Sequence, residues 1–490
     1  MARFNKAATP LLVANREGAP SHPVQETDEL IGLIWTSFCA DRFYDKWTKQ
    51  LGRLQALVTS YPELSAKAAL VARHQFGLRS ITHVVAALVA HEARGAQWLR
   101  PFLGNVIRRP DDMLEILAAR RTLGLPKAIP HSMRRAFATR LEGLSPYSLA
   151  KYHGKGSAYT MRDLVFLCHP RTTPAIQSLV DDTLRNTETW EAMGNSLETW
   201  TTLLSEGKLG YLALLRNLRN MAQTGDASLI QLAAKALTDP TAIRKSLTMP
   251  HQYVRAMNAL CENKLSLVPK ILLEALSEAM EHSLDNMPSW SGTTVIALDG
   301  SSSMRPAYDS AMGRKAGHDP WTTARTFAAA LWKRCENPIF IPFTTAAEIV
   351  QLPVAPALTL QELIDRKVAT GGTNIGSVFE LLDRKSIRAD RVILLTDEQS
   401  WYGGSPLQAL NRWTGHLGIN PIIHAVDLES YGTCVFPEKR RNLVFGWNSH
   451  LFQILDTLER HEASGLTAYV QEIDLQSFAT GQPEETADNA

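Results

Sequence analysis

Apolar residues recur at three- and four-residue intervals from about Glu26 to Leu284. Segments Leu51–Tyr61, Ile81–Glu92, Asp112–Leu123, Leu209–Gln223 and Val268–Leu284 each place an apolar stripe on one face of a helix. Short punctuation separates such segments, as at Gly104-Asn105, Leu125-Pro126, Thr224-Gly225-Asp226 and Asp239-Pro240. No alternating strand pattern interrupts the run. Many short helices with brief connections predict stacked helix pairs. At Asn286-Met287-Pro288-Ser289 the period changes. Near-continuous apolar runs Thr293–Leu298, Pro338–Phe343, Arg391–Thr396 and Pro421–Val426 now alternate with amphipathic segments Trp321–Cys335, Ile375–Lys385, Ser405–His416 and Asn448–His461. That alternation predicts a parallel, doubly wound sheet. The expected fold class is therefore multidomain, an all-α helical-repeat region followed by a doubly wound, Rossmann-like α/β domain. The expected boundaries are 1–24 for an extended N-terminal arm, 25–287 for the helical repeats, 288–465 for the α/β domain and 466–490 for a C-terminal tail.

The strand Thr293–Leu298 runs directly into Asp299-Gly300-Ser301-Ser302-Ser303. In an open α/β sheet the loop beyond a strand's carboxyl end is where ligands sit. One carboxylate and two alternate hydroxyls are oxygen donors that suit a hard divalent cation such as Mg2+ better than zinc. Two later pieces extend the pattern. Thr370-Gly371-Gly372-Thr373-Asn374 is a glycine-rich turn that delivers the Thr373 hydroxyl, and the strand Arg391–Thr396 ends at Asp397. The candidate metal set is Asp299, Ser301, Ser303, Thr373 and Asp397. Its order resembles the metal-ion-dependent adhesion site of von Willebrand factor type A domains, which implies one cation position open to a partner's carboxylate. The alternatives for Ser301 and Ser303 are a helix N-cap or a catalytic serine. The second would need a base and an oxyanion hole, and the segment lacks the Gly-x-Ser-x-Gly elbow.

Charge sharpens the reading of the helical half. The chain totals +2, yet Ala90–Arg171 holds fourteen Lys/Arg against six Asp/Glu, leaving about −6 for the remainder. A local excess of this kind is the footprint of phosphate contacts. His131, Tyr147, Tyr152, His153, Tyr159 and His169 lie among the charges, and rings among cations suit unpaired bases. The other reading is a solvated helix face. Arg216 is expected to pair within the repeat stack, and Trp190, Trp200, Trp290 and Trp321 to be core at helical spacing or to lie at the seam between the domains.

Composition excludes several classes. With 45% hydrophobic and 20% charged residues the chain is an ordinary globular one. Its five cysteines, Cys39, Cys168, Cys261, Cys335 and Cys434, form no Cys-x-x-Cys pair. That argues against a disulfide framework or a thiolate zinc site and fits a reducing cytoplasm. No apolar run approaches ~18 residues, and the first residues lack the apolar core of a signal peptide. No Walker motif or zinc signature is present.

The segments Arg134-Arg135-Ala136-Phe137, Leu149-Ala150-Lys151-Tyr152 and Arg162–Pro170, together with Leu214-Leu215-Arg216-Asn217-Leu218, resemble the TROVE module of the Ro 60 kDa autoantigen family. The pairing of a helical region with a von Willebrand A domain is similar too, and the likeness spans about residues 25–465. The resemblance implies a HEAT-like ring of helices and a non-enzymatic RNA-binding protein acting as a monomer within a ribonucleoprotein. It implies that small Y RNAs bind an outer basic face. Single-stranded 3′ ends of misfolded RNAs would enter a central hole, and an exoribonuclease such as polynucleotide phosphorylase would be tethered through RNA. Lys151 and His169 match the family's outer-surface Lys and His, and Lys155 falls where the family has Arg. Arg134, Arg135 and Arg140 are candidate phosphate clamps. The competing expectation is a Mg2+-dependent protein-adhesion scaffold, and a third is a metal-dependent hydrolase.

Overall fold

The computed structural model describes residues 12–15, 18–23, 25–36, 44–154, 156–184, 196–261, 269–305, 320–428, 433–436, 442–445, 450–461 and 466–478. The helical half opens with α1 (Glu26–Thr36), α2 (Tyr44–Ser60), α3 (Pro62–His74), α4 (Ser80–Glu92), α5 (Leu99–Val106) and α6 (Asp112–Thr122). It continues through α7 (His131–Glu142), α8 (Pro146–Lys151), α9 (Met161–Cys168), α10 (Pro174–Val180), α11 (Leu197–Ser205) and α12 (Tyr211–Gln223). Then come α13 (Ala227–Leu237), α14 (Pro240–Ser246), α15 (Pro250–Cys261) and α16 (Lys270–Ser283). A hydroxyl or carboxylate followed by proline starts several of them. Ser145, Thr173 and Asp239 accept backbone N–H groups of the first turn while Pro146, Pro174 and Pro240 occupy its first position. Helix α9 begins with a full capping box, Thr160 and Asp163 each accepting the other's backbone N–H. Helices pack two apart in sequence: α1 on α3, α3 on α5, α5 on α7, α7 on α9, and likewise α2 on α4 and α4 on α6. Two layers growing in parallel are the geometry of stacked helical pairs.

The second half alternates as its pattern predicts. Strands β3 (Trp290–Asp299), β4 (Cys335–Phe343), β5 (Arg391–Thr396), β6 (Ile422–Asp427) and β8 (Asn442–Phe445) form a parallel sheet of order β4-β3-β5-β6-β8. Helices α17 (Pro320–Arg334), α18 (Ala357–Lys367), α19 (Gly376–Arg384), α20 (Pro406–Leu417) and α21 (Leu451–Arg460) connect and cover it. On one face Val295, Ala297, Ile341, Val392 and Leu394 bury against Val378, Phe379, Leu410 and Trp413 of α19 and α20. On the other, Phe327 of α17 meets Phe452 of α21 edge-on, with centroids 5.2 Å apart. The chain leaves β3 for β4 on one side and returns to β5 on the other. A topological switch point therefore opens at the carboxyl end of β3, where crevices form.

Several elements depart from the sequence expectation. Short strands β1 (Val13–Ala14), β2 (Pro20–Pro23) and β7 (Thr433–Cys434) make a small antiparallel sheet, so the extended arm is paired. The region taken as a C-terminal tail contains α22 (Leu466–Gln471), which packs on α1 and α3 and buries Val470. Helix α18 and strand β8 were not anticipated. By packing, the chain divides into two compact units. One joins Met1–Gln25, Leu237–Asn263 and Lys270–Arg460; the other joins Glu26–Ala236, Lys264–Pro269 and His461–Ala490. Helix α16 belongs with the sheet because its Glu281 pairs with Lys333 of α17 and accepts the N–H of Ala357 at the start of α18. Among the described residues no helix is long and apolar enough to cross a membrane.

Candidate functional site

The residues singled out after β3 sit at the switch point. Asp299, the last residue of β3, is fully buried. Its Oδ1 accepts the N–H of Ser301 at 2.8 Å, and its Oδ2 accepts the hydroxyl of Thr396, the end of β5, at 2.7 Å. Gly300 donates its N–H to Phe343 at the end of β4, and a Cβ there would stand 2.5 Å from the carbonyl oxygen of Ala369. Only glycine lets the two loops approach so closely. Ser302 N–H then donates to Gly371 at 3.1 Å, which joins the serine loop to the glycine turn. Thr373 is buried, and its carbonyl accepts the N–H groups of Trp401 and Tyr402 from the loop beyond β5. Asp397, also buried, accepts the N–H of Gln399 at 3.3 Å.

Asp299, Ser301, Ser303, Thr373 and Asp397 thus lie on three loops that hydrogen bonds lace together. The Ser301 and Ser303 hydroxyls are 3.0 Å apart, and the Ser301 side chain also bonds the Asp299 carboxyl. Burial, and then the neighbouring charge of Asp397, push the Asp299 carboxyl up from 3.8 to about 7. A cation between two buried carboxylates relieves that repulsion. The donors are two carboxylates and three hydroxyls, all oxygen, which fits Mg2+. Among the described residues no group of three or more His, Cys, Asp and Glu assembles elsewhere as an alternative metal site.

The basic candidates lie on α7, α8 and the end of α9. Arg134 and Arg135 are exposed and form no ion pair with a described residue. Arg140 is half-buried and donates from Nη2 to the carbonyl of Arg108 at 3.2 Å, which ties α7 to the loop between α5 and α6. Lys151, in the last turn of α8, holds its Nζ 5.7 Å from the Tyr147 ring centre and 5.5 Å from that of Tyr152. Arg109 faces Tyr152 as well, at 5.3 Å. His169 is exposed, and its left-handed backbone (φ 49°) terminates α9. Arg134 is near that end: burial pushes the Cys168 thiol up to about 12 against the opposing charge of Arg134. Lys155 lies outside the described residues, as does Trp190. Trp200, Trp290 and Trp321 are buried, Trp290 in strand β3 and not on a helix. Arg216 corrects the expectation placed on it, since it is exposed and makes no ion pair with a described residue.

Of the exposed rings, the sequence pattern singled out Tyr147 and passed over Phe166, Trp401 and Tyr402. Tyr147, Phe166, Trp401 and Tyr402 are the exposed aromatic side chains among the described residues. The signal for Phe166 was present. Met161, Leu164, Val165 and Cys168 complete the apolar stripe of α9 at helical spacing and are buried, which leaves Phe166 and Leu167 off that stripe. The Trp401 ring covers Gly372, where a Cβ would meet it at 2.8 Å.

Residues 182–295 match the TROVE domain. The matched segment holds Leu214–Leu218, whereas Arg134–Pro170 precedes it and the rest of the α/β domain follows it. The fold is similar to that of the Deinococcus radiodurans Ro (Rsr) protein, whose crystal structure superposes with a TM-score of 0.64 at 18% identity, over 89% of this chain and 100% of that one. Telomerase protein component 1 of Mus musculus is 22% identical over 297 residues, 42% of this chain. The match spans only 11% of the length of that curated relative.

Proposed function

We propose that this chain is a non-enzymatic RNA-binding protein whose basic α7–α9 surface takes small Y RNAs. In this reading it also holds single-stranded 3′ ends of misfolded or structured RNAs and acts in non-coding RNA quality control in the cytoplasm. An exoribonuclease, polynucleotide phosphorylase or another, is recruited through the bound RNA. One observation carries the reading: Arg134 and Arg135 stand exposed with no ion pair to a described residue, on a helix that packs against α9, at whose end His169 is exposed. Charge left unneutralised inside the fold is available to phosphates. The TROVE match and the likeness to the Ro (Rsr) fold support it.

Filter binding of a structured RNA with a single-stranded 3′ tail, at two salt concentrations, tests the proposal. Affinity should fall by roughly one power of salt concentration for each phosphate neutralised. Absent or salt-insensitive binding would reject it. RNA incubated with the protein and Mg2+ should be recovered intact; cleavage abolished by Ser301→Ala would instead favour a hydrolase.

A second reading concerns the α/β domain: Asp299, Ser301, Ser303, Thr373 and Asp397 hold Mg2+ and the domain acts as a protein-adhesion scaffold. Bound there, the ion would supply a Lewis-acidic position for a partner's carboxylate. The observation favouring it is the exposed pair Trp401 and Tyr402, whose backbone N–H groups hold the Thr373 carbonyl.

A further inference from the structure

We propose that Phe166 and Tyr147 are base-stacking platforms, so that the surface of α8 and α9 selects unpaired nucleotides over duplex. The proposal rests on the RNA-binding reading above and adds to it the chemistry that tells strand from duplex. Phe166 is 55% exposed and its neighbour Leu167 37%, whereas the four stripe residues of α9 are buried. Tyr147 is 38% exposed. An apolar ring held in water gains nothing for the fold, because the hydrophobic term rewards only its removal from water. Each ring also has a cation one helical turn further along or back. The Arg162 guanidinium lies 5.9 Å from the Phe166 ring centre, and Lys151 Nζ 5.7 Å from that of Tyr147. A flat face with a positive group beside it matches a base and the phosphate attached to it.

The backbone that carries these rings is anchored. The capping box of Thr160 and Asp163 fixes the start of α9, and Met161 N–H donates to His153 at 3.0 Å to close the connection from α8. Gly154 permits the tight return; a Cβ there would stand 2.8 Å from the Tyr159 carbonyl oxygen. Both helices also pack on α10. A preset backbone spares the entropy of ordering it on binding. Bases inside a duplex already stack on one another and offer no free face, so the rings discriminate by strandedness and tolerate sequence.

The test uses the full chain with a short single-stranded RNA containing 2-aminopurine and a blunt duplex of the same composition. Phe166→Ala and Tyr147→Ala should each weaken single-strand binding by roughly five- to a hundredfold, the range for losing one stacked base, and reduce the quenching of 2-aminopurine. Duplex affinity should not change. The slope of log affinity against log salt should also stay at its wild-type value, because neither ring carries charge, whereas Lys151→Ala should lower it by about one. Phe166→Trp should keep wild-type binding. Single-strand affinity and quenching unchanged in both alanine variants would overturn the stacking proposal while leaving RNA binding intact, as would an equal loss on duplex. A wild-type chain that binds neither RNA would overturn the underlying reading and the proposal with it.

Discussion

Asp112 shows how one residue fixes its neighbourhood. Fully buried, it accepts from Arg73 at 3.0 Å, from Arg79 and His83 at 2.8 and 2.9 Å, and from the backbone N–H groups of Arg108 and Arg109. Burial alone would push its carboxyl up; the His83 hydrogen bond and the charges of Arg73, His83 and Arg79 outweigh it and hold the group far below its ordinary 3.8. Asp112→Asn strands buried cations and should lower the unfolding free energy by about 3–5 kcal/mol in urea titration. Glu459 of α21 behaves likewise. Burial opposes ionisation, but His424 and Arg391 bring it from 4.5 to about 2. A depressed carboxylate stabilises fully above its unfolded value and loses that contribution as pH falls. Circular dichroism should therefore show stability declining below pH 4.5 toward about 2, with a flatter acid limb in Glu459→Gln. For the cation site, Mg2+ should raise the wild-type melting temperature by ligand linkage. Asp299→Ala should abolish that shift and leave RNA affinity unchanged.

At the scale of elements, local chemistry read out well wherever period and punctuation agreed. Strand β5 spans Arg391–Thr396 as its apolar run predicts, and α4, α6 and α12 match their stripes to within two residues. Ser405, with Pro406 behind it, accepts the N–H of Gln408 to start α20; Ser405→Ala should cost about 1 kcal/mol of stability by thermal melt. Elements lacking local signal were missed. The start of α18 has no side-chain cap, since its N-cap is Pro356. Strand β8 is four residues beside a basic run, and β6 alone makes it a strand. Gly300 is where two elements depend on one hydrogen atom. Gly300→Ala drives a methyl into the Ala369 carbonyl, backbone that cannot rotate away. It should destabilise the chain by about 1–3 kcal/mol and remove the Mg2+ response in the same thermal assay.

Across the whole molecule, the basic window and the candidate cation site occupy different stretches of chain, since Ala90–Arg171 carries the positive excess and the α/β domain the acid pair. Lys151→Ala combined with His169→Ala should therefore weaken binding of a cognate Y RNA, by gel shift, while the Mg2+-dependent melting shift persists. By itself, the sequence determined the two periods, the change between them near Ser289, the order of acid, hydroxyl and acid at strand ends, and the basic window. These are properties of neighbours along the chain, so a linear reading reaches them. Tertiary structure alone decided the rest. It grouped α14–α16 with the sheet and paired β2 with β7 across most of the chain's length. It committed Arg140 to a carbonyl while leaving Arg216 exposed, and it left Phe166 in water. Which polar group finds a partner, and which ring finds a cover, depends on residues remote in sequence that only packing brings near.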